Sequence, residues 1–215
     1  MIGNFYRNGK VYCTEAIEVY DHDFSSFSDG SINPHGIYDM KRNEGYITLG
    51  TSKDTSEFCC DCIRDWWQNH GKYNYPNADS ILALADGGGS NSSRHYIFKE
   101  DLQKLVNDIG IEIRMAHYPP YTSKYNPIEH RLFCHVTRAW EGVIFTDIEV
   151  VNSAAHKTST SNGLKVFSSI KQKVYATARK VADTFRENLP IIFDDFLGKW
   201  NYKAIPIAEK SDVIF

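Results

Sequence analysis

Two short runs, Gly36-Ile37-Tyr38-Asp39-Met40 and Gly45-Tyr46-Ile47-Thr48-Leu49, flank the polar stretch Lys41 to Glu44, the pattern of antiparallel strands joined by a turn at Asn43. Asp54-Thr55-Ser56-Glu57 then carries a capping-box signature, and Phe58, Cys59, Cys62, Ile63 and Trp66 recur at helical spacing, which predicts a helix to about His70. Ile81-Leu82-Ala83-Leu84-Ala85 is a continuous apolar run closed by Asp86 and three glycines, as expected of a strand buried on both faces with Asp86 at its C-terminal end. Leu102, Leu105, Val106 and Ile109 give a second helix with Gly110 as its C-cap, and Ile111, Ile113 and Met115 alternate as a strand. After Pro119-Pro120, Asn126-Pro127 has the form of an N-cap and first helical residue, followed by Ile128, Leu132, Phe133, Val136 and Trp140 as an apolar face. Thr146 to Glu149 repeats the capping-box pattern and opens an extension, expected to be mainly helical, that ends near Trp200-Asn201-Tyr202.

Two strands, helix, strand, helix, strand, helix is the latter portion of an RNase H-like α/β domain, a mixed sheet flanked by helices, with the first and central strand missing. The expected organisation is therefore an RNase H-like core over residues 1–141, incomplete at its N-terminus, and a C-terminal extension of the same domain over 142–215. The length of 215 residues and 42% hydrophobic content are enough for a real core. No apolar run approaches the ~20 residues of a membrane span, and Met1 to Lys10 is too polar for a signal peptide, so the expectation is a soluble, cytoplasmic protein with no membrane partner. Three of the five cysteines, Cys59, Cys60 and Cys62, crowd one segment and lack a second C-x2-C pair, which argues against disulfides and zinc and for small apolar residues on a helix. A net charge of −3 neither requires nor excludes nucleic acid; contact with DNA must come from local basic clusters.

The candidate chemistry lies in two carboxylates. In-line attack on a phosphodiester is assisted by two divalent cations about 4 Å apart, and hard cations need carboxylate oxygens on rigid elements. Asp86 at a strand end and Glu129 in the first turn of a helix supply such oxygens, and Gly87, Gly88 and Gly89 leave room for a close approach of backbone and ligand. Each has a simpler reading: an aspartate before glycines makes an Asx-turn, and a glutamate three residues after Asn126 completes a capping box. The glycine run lacks the Gly-Lys-Ser/Thr ending of a phosphate-binding P-loop.

In combination these residues match a family. Leu-Ala-Asp-Gly-Gly-Gly-Ser-Asn-Ser-Ser-Arg at 84–94 and His-Tyr-Pro-Pro-Tyr-Thr-Ser-Lys-Tyr-Asn-Pro-Ile-Glu-His-Arg-Leu-Phe at 117–133 resemble the Rhodopirellula-type transposase DDE family of bacterial insertion sequences, within the mariner-like RNase H-fold group. Tyr20-Asp21-His22-Asp23-Phe24, Gly36-Ile37-Tyr38-Asp39, Asp54-Thr55, Trp66-Trp67 and Trp200-Asn201-Tyr202 extend the resemblance over nearly the whole chain. It implies that Asp86 and Glu129 are the second and third carboxylates of a triad holding Mg2+ or Mn2+, with Lys124 and Arg131 as phosphate contacts. It also implies DNA, both transposon ends and target, as partner, a possible homo-oligomer, and a bacterial, nucleoid-associated location.

In the family the first aspartate lies in an Asp-Thr-Lys-Lys-Lys-Glu segment immediately before the residues seen here as Ile2-Gly3-Asn4-Phe5, and an N-terminal helix-turn-helix region precedes that. The expectation is a truncated copy, inactive by itself. Without the family, Asp39 at a strand end is a candidate first carboxylate, though a turn role suits it better. The Asp21-His22-Asp23 knot suits surface or turn roles better than metal binding, and His130 and His135 suit packing or capping. Three function classes follow: a metal-dependent polynucleotidyl transferase, a non-enzymatic remnant that binds DNA or a full-length transposase, and, least favoured, a nucleotide-binding regulator built on the glycine run.

Overall fold

Along the chain the regular elements are β1 (Asn33–Asp39), β2 (Glu44–Gly50), α1 (Ser56–Trp66), α2 (Lys72–Asn74), β3 (Ser80–Ala85), α3 (Tyr96–Ile109), β4 (Glu112–His117), α4 (Cys134–Trp140), α5 (Ile148–His156), β5 (Lys165–Lys171), α6 (Asp183–Glu187), β6 (Ile192–Phe193) and β7 (Asn201–Ala204). This computed structural model describes residues 1–119 and 121–207. Pro120, the second residue of the expected proline punctuation, and residues 208–215 lie outside them. The chain forms two units, one from Met1–Asp54 and Lys124–Tyr175, the other from Thr55–Ser123 and residues 176 onward.

The first unit holds a three-stranded sheet in the order β1-β2-β5. β1 and β2 are the expected antiparallel hairpin, closing at the Asp39↔Glu44 pair. Its turn is made by Asp39, whose Oδ1 accepts the N–H groups of Lys41 and Arg42, both at 3.1 Å, and by Asn43 at φ +54, a conformation asparagine tolerates. β5 joins β2 in parallel. Ile47 and Leu49 of β2 pack on Leu132 and Val136 from the helix after Pro127, on Val151 and Ala155 of α5, and on Val166 of β5, all at most 5% exposed.

The second unit holds a four-stranded sheet in the order β3-β4-β7-β6, with β3 and β4 parallel and β7 antiparallel to β4. Its core joins Cys59 and Cys60 of α1, Phe98, Leu102, Leu105 and Val106 of α3, Ile113 and Met115 of β4, and Tyr202 and Ala204 of β7. α3 stops where expected, at Gly110 in the left-handed conformation, φ +70. The buried Asp101 of α3 takes a two-pronged contact from Arg179 and a hydroxyl hydrogen bond from Ser56, which ties the segment after Ala176 to α1 and α3. Cys59, Cys60 and Cys62 are buried side chains of α1, the small apolar role read from their spacing, and burial pushes the Cys60 thiol well up from its ordinary pKa.

Three expectations change in detail. β3 is buried on one face only: its positions alternate, Ile81 and Ala83 packing against the core of this unit while Leu82 is 63% and Leu84 37% exposed. Both sheets are open, β1 and β3 each being an edge strand. The extension after residue 142 supplies α5 and α6 but also β5, β6 and β7, two of which pair with strands of the expected core. Both capping boxes sit one residue later than read: Thr55, not Asp54, accepts from Phe58 N, and Asp147, not Thr146, accepts from Val150 N at 2.9 Å. In each case the deciding fact is which side chain reaches the free N–H three residues on. Among the described residues no helix is long and apolar enough to cross a membrane.

Candidate active site

Asp86 follows directly on β3. The β3–β4 register stays intact to its last pair, Ala85↔His117, and Tyr118 N then donates to Ala85 O at 2.7 Å, so the strand end is held firmly where the carboxylate begins. The chain leaves through Gly87 at φ +72, a conformation that favours glycine. Gly88 N donates to Asp86 Oδ1 at 3.1 Å, which is the Asx-turn anticipated as the simpler reading. One hydrogen bond leaves an aspartate further acceptor sites. Asp86 is exposed, makes no ion pair among the described residues, and lines a cleft of about 280 Å³ with Ser92, Arg94, His95, Tyr118 and Trp200. The Asx-turn and a ligand role are thus compatible.

Behind this turn lies His117, 5% exposed, with Nε2 2.8 Å from Tyr202 Oη and its ring stacked on the Tyr202 ring at 5.4 Å. Burial, with Lys99 acting in the same direction and Asp86 against it, lowers the imidazole pKa to about 4, so the ring is neutral. Lys99 is itself buried, donates to Ser93 O and lies 4.9 Å over the Tyr202 ring, and burial lowers its pKa. Sequence reading passed over Arg94, His95, His117 and Lys99. His117 and Arg94 stand at the margins of the two quoted motifs, but nothing in their spacing marks them as neighbours; the β3–β4 register does.

Glu129, Lys124 and Arg131 belong to the other unit. Asn126 is buried, its Oδ1 accepting from Ile128 N at 3.5 Å, and the helix that begins at Pro127 is π-wound over Glu129–Phe133 before it becomes α4. π-turns inside helices gather at functional sites. Glu129 is half-buried, and its carboxylate makes no hydrogen bond or ion pair among the described residues, so it is not spent on the capping box. The helix is seated by two glycines of the hairpin: a Cβ on Gly45 would lie 2.2 Å from Leu132 Cδ1, and one on Gly36 would lie 2.5 Å from Phe133 Cε1. Lys124 sits in a 3-10 turn with Nζ 5.1 Å from the Tyr125 ring, and the His130 ring meets the Lys124 carbonyl, fixing that turn to the helix. Arg131 is exposed with no ion-pair partner among the described residues.

The remaining candidates are otherwise engaged. Asp39 caps the hairpin turn, Asp23 pairs with Arg7 at 2.7 Å, and His22 contacts Asp21 at 2.9 Å. Among the described residues no three His, Cys, Asp or Glu side chains converge as a metal-binding group. The carboxylates of Asp86 and of Glu129 are each hard oxygen donors of the kind that suits Mg2+ or Mn2+.

No curated protein and no solved structure matches this chain. A family model does, that of the Rhodopirellula transposase DDE domain, over residues 1–206 of 215. Coverage of nearly the entire length places the chain in that family: it belongs to the Rhodopirellula transposase DDE domain proteins.

Proposed function

We propose that the chain serves metal-dependent DNA strand cleavage and transfer in transposition, with Asp86 and Glu129 as two of its three metal-binding carboxylates. The supporting observation is that both carboxylates stand at the ends of well-packed elements and neither is consumed by an ion pair among the described residues. Divalent cations held there would polarise the phosphoryl oxygen and stabilise the leaving oxygen. Lys124 and Arg131 hold the phosphate backbone, lysine as a point charge and arginine as a fork. A Cβ on Gly88 would lie 3.7 Å from both Asp86 carboxylate oxygens, so this glycine keeps side-chain bulk away from them, and Arg94 and His95 add basic character to the cleft that Asp86 lines.

By the resemblance, the first carboxylate of the triad belongs to an Asp-Thr-Lys-Lys-Lys-Glu segment that this sequence does not contain. The test is nicking of plasmid DNA in Mn2+ by the 215-residue chain and by a version carrying that segment before Ile2. Nicking by the extended version that is abolished by Asp86→Asn and by Glu129→Gln, with none from the shorter chain, supports the assignment. Nicking that survives Asp86→Asn overturns it. Activity of the shorter chain that is lost in Asp39→Ala makes Asp39 the first carboxylate instead. DNA binding without nicking by either version favours the non-enzymatic reading.

A further inference from the structure

His117 uses half of its hydrogen-bonding capacity. Its Nε2 is paired with the Tyr202 hydroxyl, while Nδ1 is buried and has no partner among the described residues. Buried polar atoms are otherwise almost always paired, so an open ring nitrogen beside a cleft marks a place where something else binds. The ring cannot swing to hide that atom: Tyr202 stacks on one face at an interplanar angle of 27°, and Phe98 meets the ring at 6.3 Å in an edge contact. Nδ1 faces the Asp86–Gly87 turn, since a Cβ on Gly87 would lie 3.5 Å from it, and the Asp86 charge is felt at the imidazole.

The tautomer follows from these neighbours. Burial raises the Tyr202 pKa, so its hydroxyl keeps its hydrogen, and with no other acceptor for it among the described residues that hydrogen goes to His117 Nε2. A neutral imidazole that accepts this hydrogen at Nε2 carries its own on Nδ1. The atom facing the turn is then an N–H without an acceptor among the described residues, beside an exposed carboxylate that has acceptor sites to spare.

We propose that His117 is a positioning residue for Asp86: held by Tyr202, its Nδ1–H donates to the Asp86 carboxylate and fixes that group in the orientation that binds a divalent cation. This rests on Asp86 being a cation ligand. Gly88 N and His117 Nδ1–H then approach the carboxylate from the protein side, leaving its remaining acceptor sites to the cation. Ligating carboxylates held in this way lose about 10–100-fold in metal affinity when the outer hydrogen bond is removed.

The experiment titrates Mn2+ into the full chain by calorimetry. His117→Phe keeps the ring stack but removes both nitrogens, and is expected to weaken Mn2+ binding about 10–100-fold. His117→Asn, whose amide nitrogen falls near the Nδ1 position, should largely restore binding, whereas His117→Gln, which reaches toward Tyr202, should not. A merely structural role predicts no such ordering. In 15N-histidine NMR spectra the metal-free chain should show His117 neutral and protonated on Nδ1, with that resonance moving when Mg2+ is added. An Nδ1 resonance indifferent to Mg2+ overturns the proposal even if every variant misfolds. Unchanged Mn2+ affinity in His117→Phe, with affinity lost in Asp86→Asn, overturns it and leaves Asp86 a ligand. Affinity unchanged in both variants removes the assignment of Asp86 and this proposal with it.

Discussion

Gly45→Ala is the sharpest test of how Glu129 is held. A methyl group at position 45 would lie 2.2 Å from Leu132 Cδ1 and 3.1 Å from Cδ2, far inside contact distance, and Leu132 is fully buried among Ile47, Leu49 and Val136. Two effects oppose each other. Alanine in a strand interior is favoured over glycine by roughly 0.5–1 kcal/mol, while overpacking a close-packed core costs about 1–3 kcal/mol. At a separation this short the second wins, so the variant should lose about 1–2 kcal/mol, or a few degrees of melting temperature at about 2–4 °C per kcal/mol. A double-mutant cycle assigns the loss. Leu132→Ala alone opens a cavity at about 2–5 kcal/mol; combined with Gly45→Ala, the new methyl partly refills it, and the pair should be less damaging than the sum by about 1–3 kcal/mol. Urea denaturation of the four proteins reads all these terms. Leu132 is three residues beyond Glu129 on the same helix, so Gly45→Ala should also weaken whatever binding depends on Glu129. A Gly45→Ala protein more stable than the parent, or strict additivity with Leu132→Ala, would refute the seat.

Three further outcomes are expected. DNA affinity should be weak and steeply salt-dependent, and Lys124→Ala with Arg131→Ala should reduce the slope of log K against log salt by about 2 if each residue meets a duplex phosphate; fluorescence anisotropy across a salt series measures it. Burial lowers the His35 pKa from 6.5 to about 4, with Asp54 pulling it back up. Between those values the unfolded chain takes a proton that the folded chain does not, so stability falls as pH drops through that interval, by up to about 1.4 kcal/mol per pH unit from this group, and His35→Phe should flatten the fall in urea midpoints. The chain should self-associate through the outer edge of β3, where Leu82 is 63% exposed; Leu82→Lys should reduce association in analytical ultracentrifugation without lowering the melting temperature.

Much of the fold was legible because its signals are local. The hairpin, α1, α3 with Gly110, and β4 follow from alternation, helical period and caps within a dozen residues of one another. What escaped is non-local. Lys165–Lys171 reads as ordinary polar chain until β2 is there to pair with it, and Asn201–Ala204 becomes a strand because β4 offers a free edge. The apolar run of β3 looked doubly buried because periodicity registers what a strand is made of and not which neighbours cover it; Leu82 and Leu84 are apolar and exposed. The site divides in the same way. Asp86 and Glu129 are candidates that the motifs pick out, whereas His117, in plain view at the head of the second motif, is placed beside the Asp86 turn only by its pairing with Ala85.

The two carboxylates are fixed by different physics. Asp86 inherits its position from a ladder: its Cα follows the last pair of β3 and β4, and Gly88 N takes one oxygen, so its placement is set by backbone hydrogen bonds. Glu129 depends instead on packing. Its carbonyl accepts from Cys134 N, five residues on, and this wide turn brings Leu132 and Phe133 together against Gly45 and Gly36. An α-turn would close on the residue four positions along, and the extra residue lets two large side chains share the seat while the glutamate stays half-buried and without an ion pair among the described residues. Glycines at 36 and 45 therefore do for Glu129 what the strand register does for Asp86. Substitutions in the hairpin should be felt through a helix that never changes its sequence, and the motif around Glu129 is incomplete without two glycines that lie some 90 residues upstream of it.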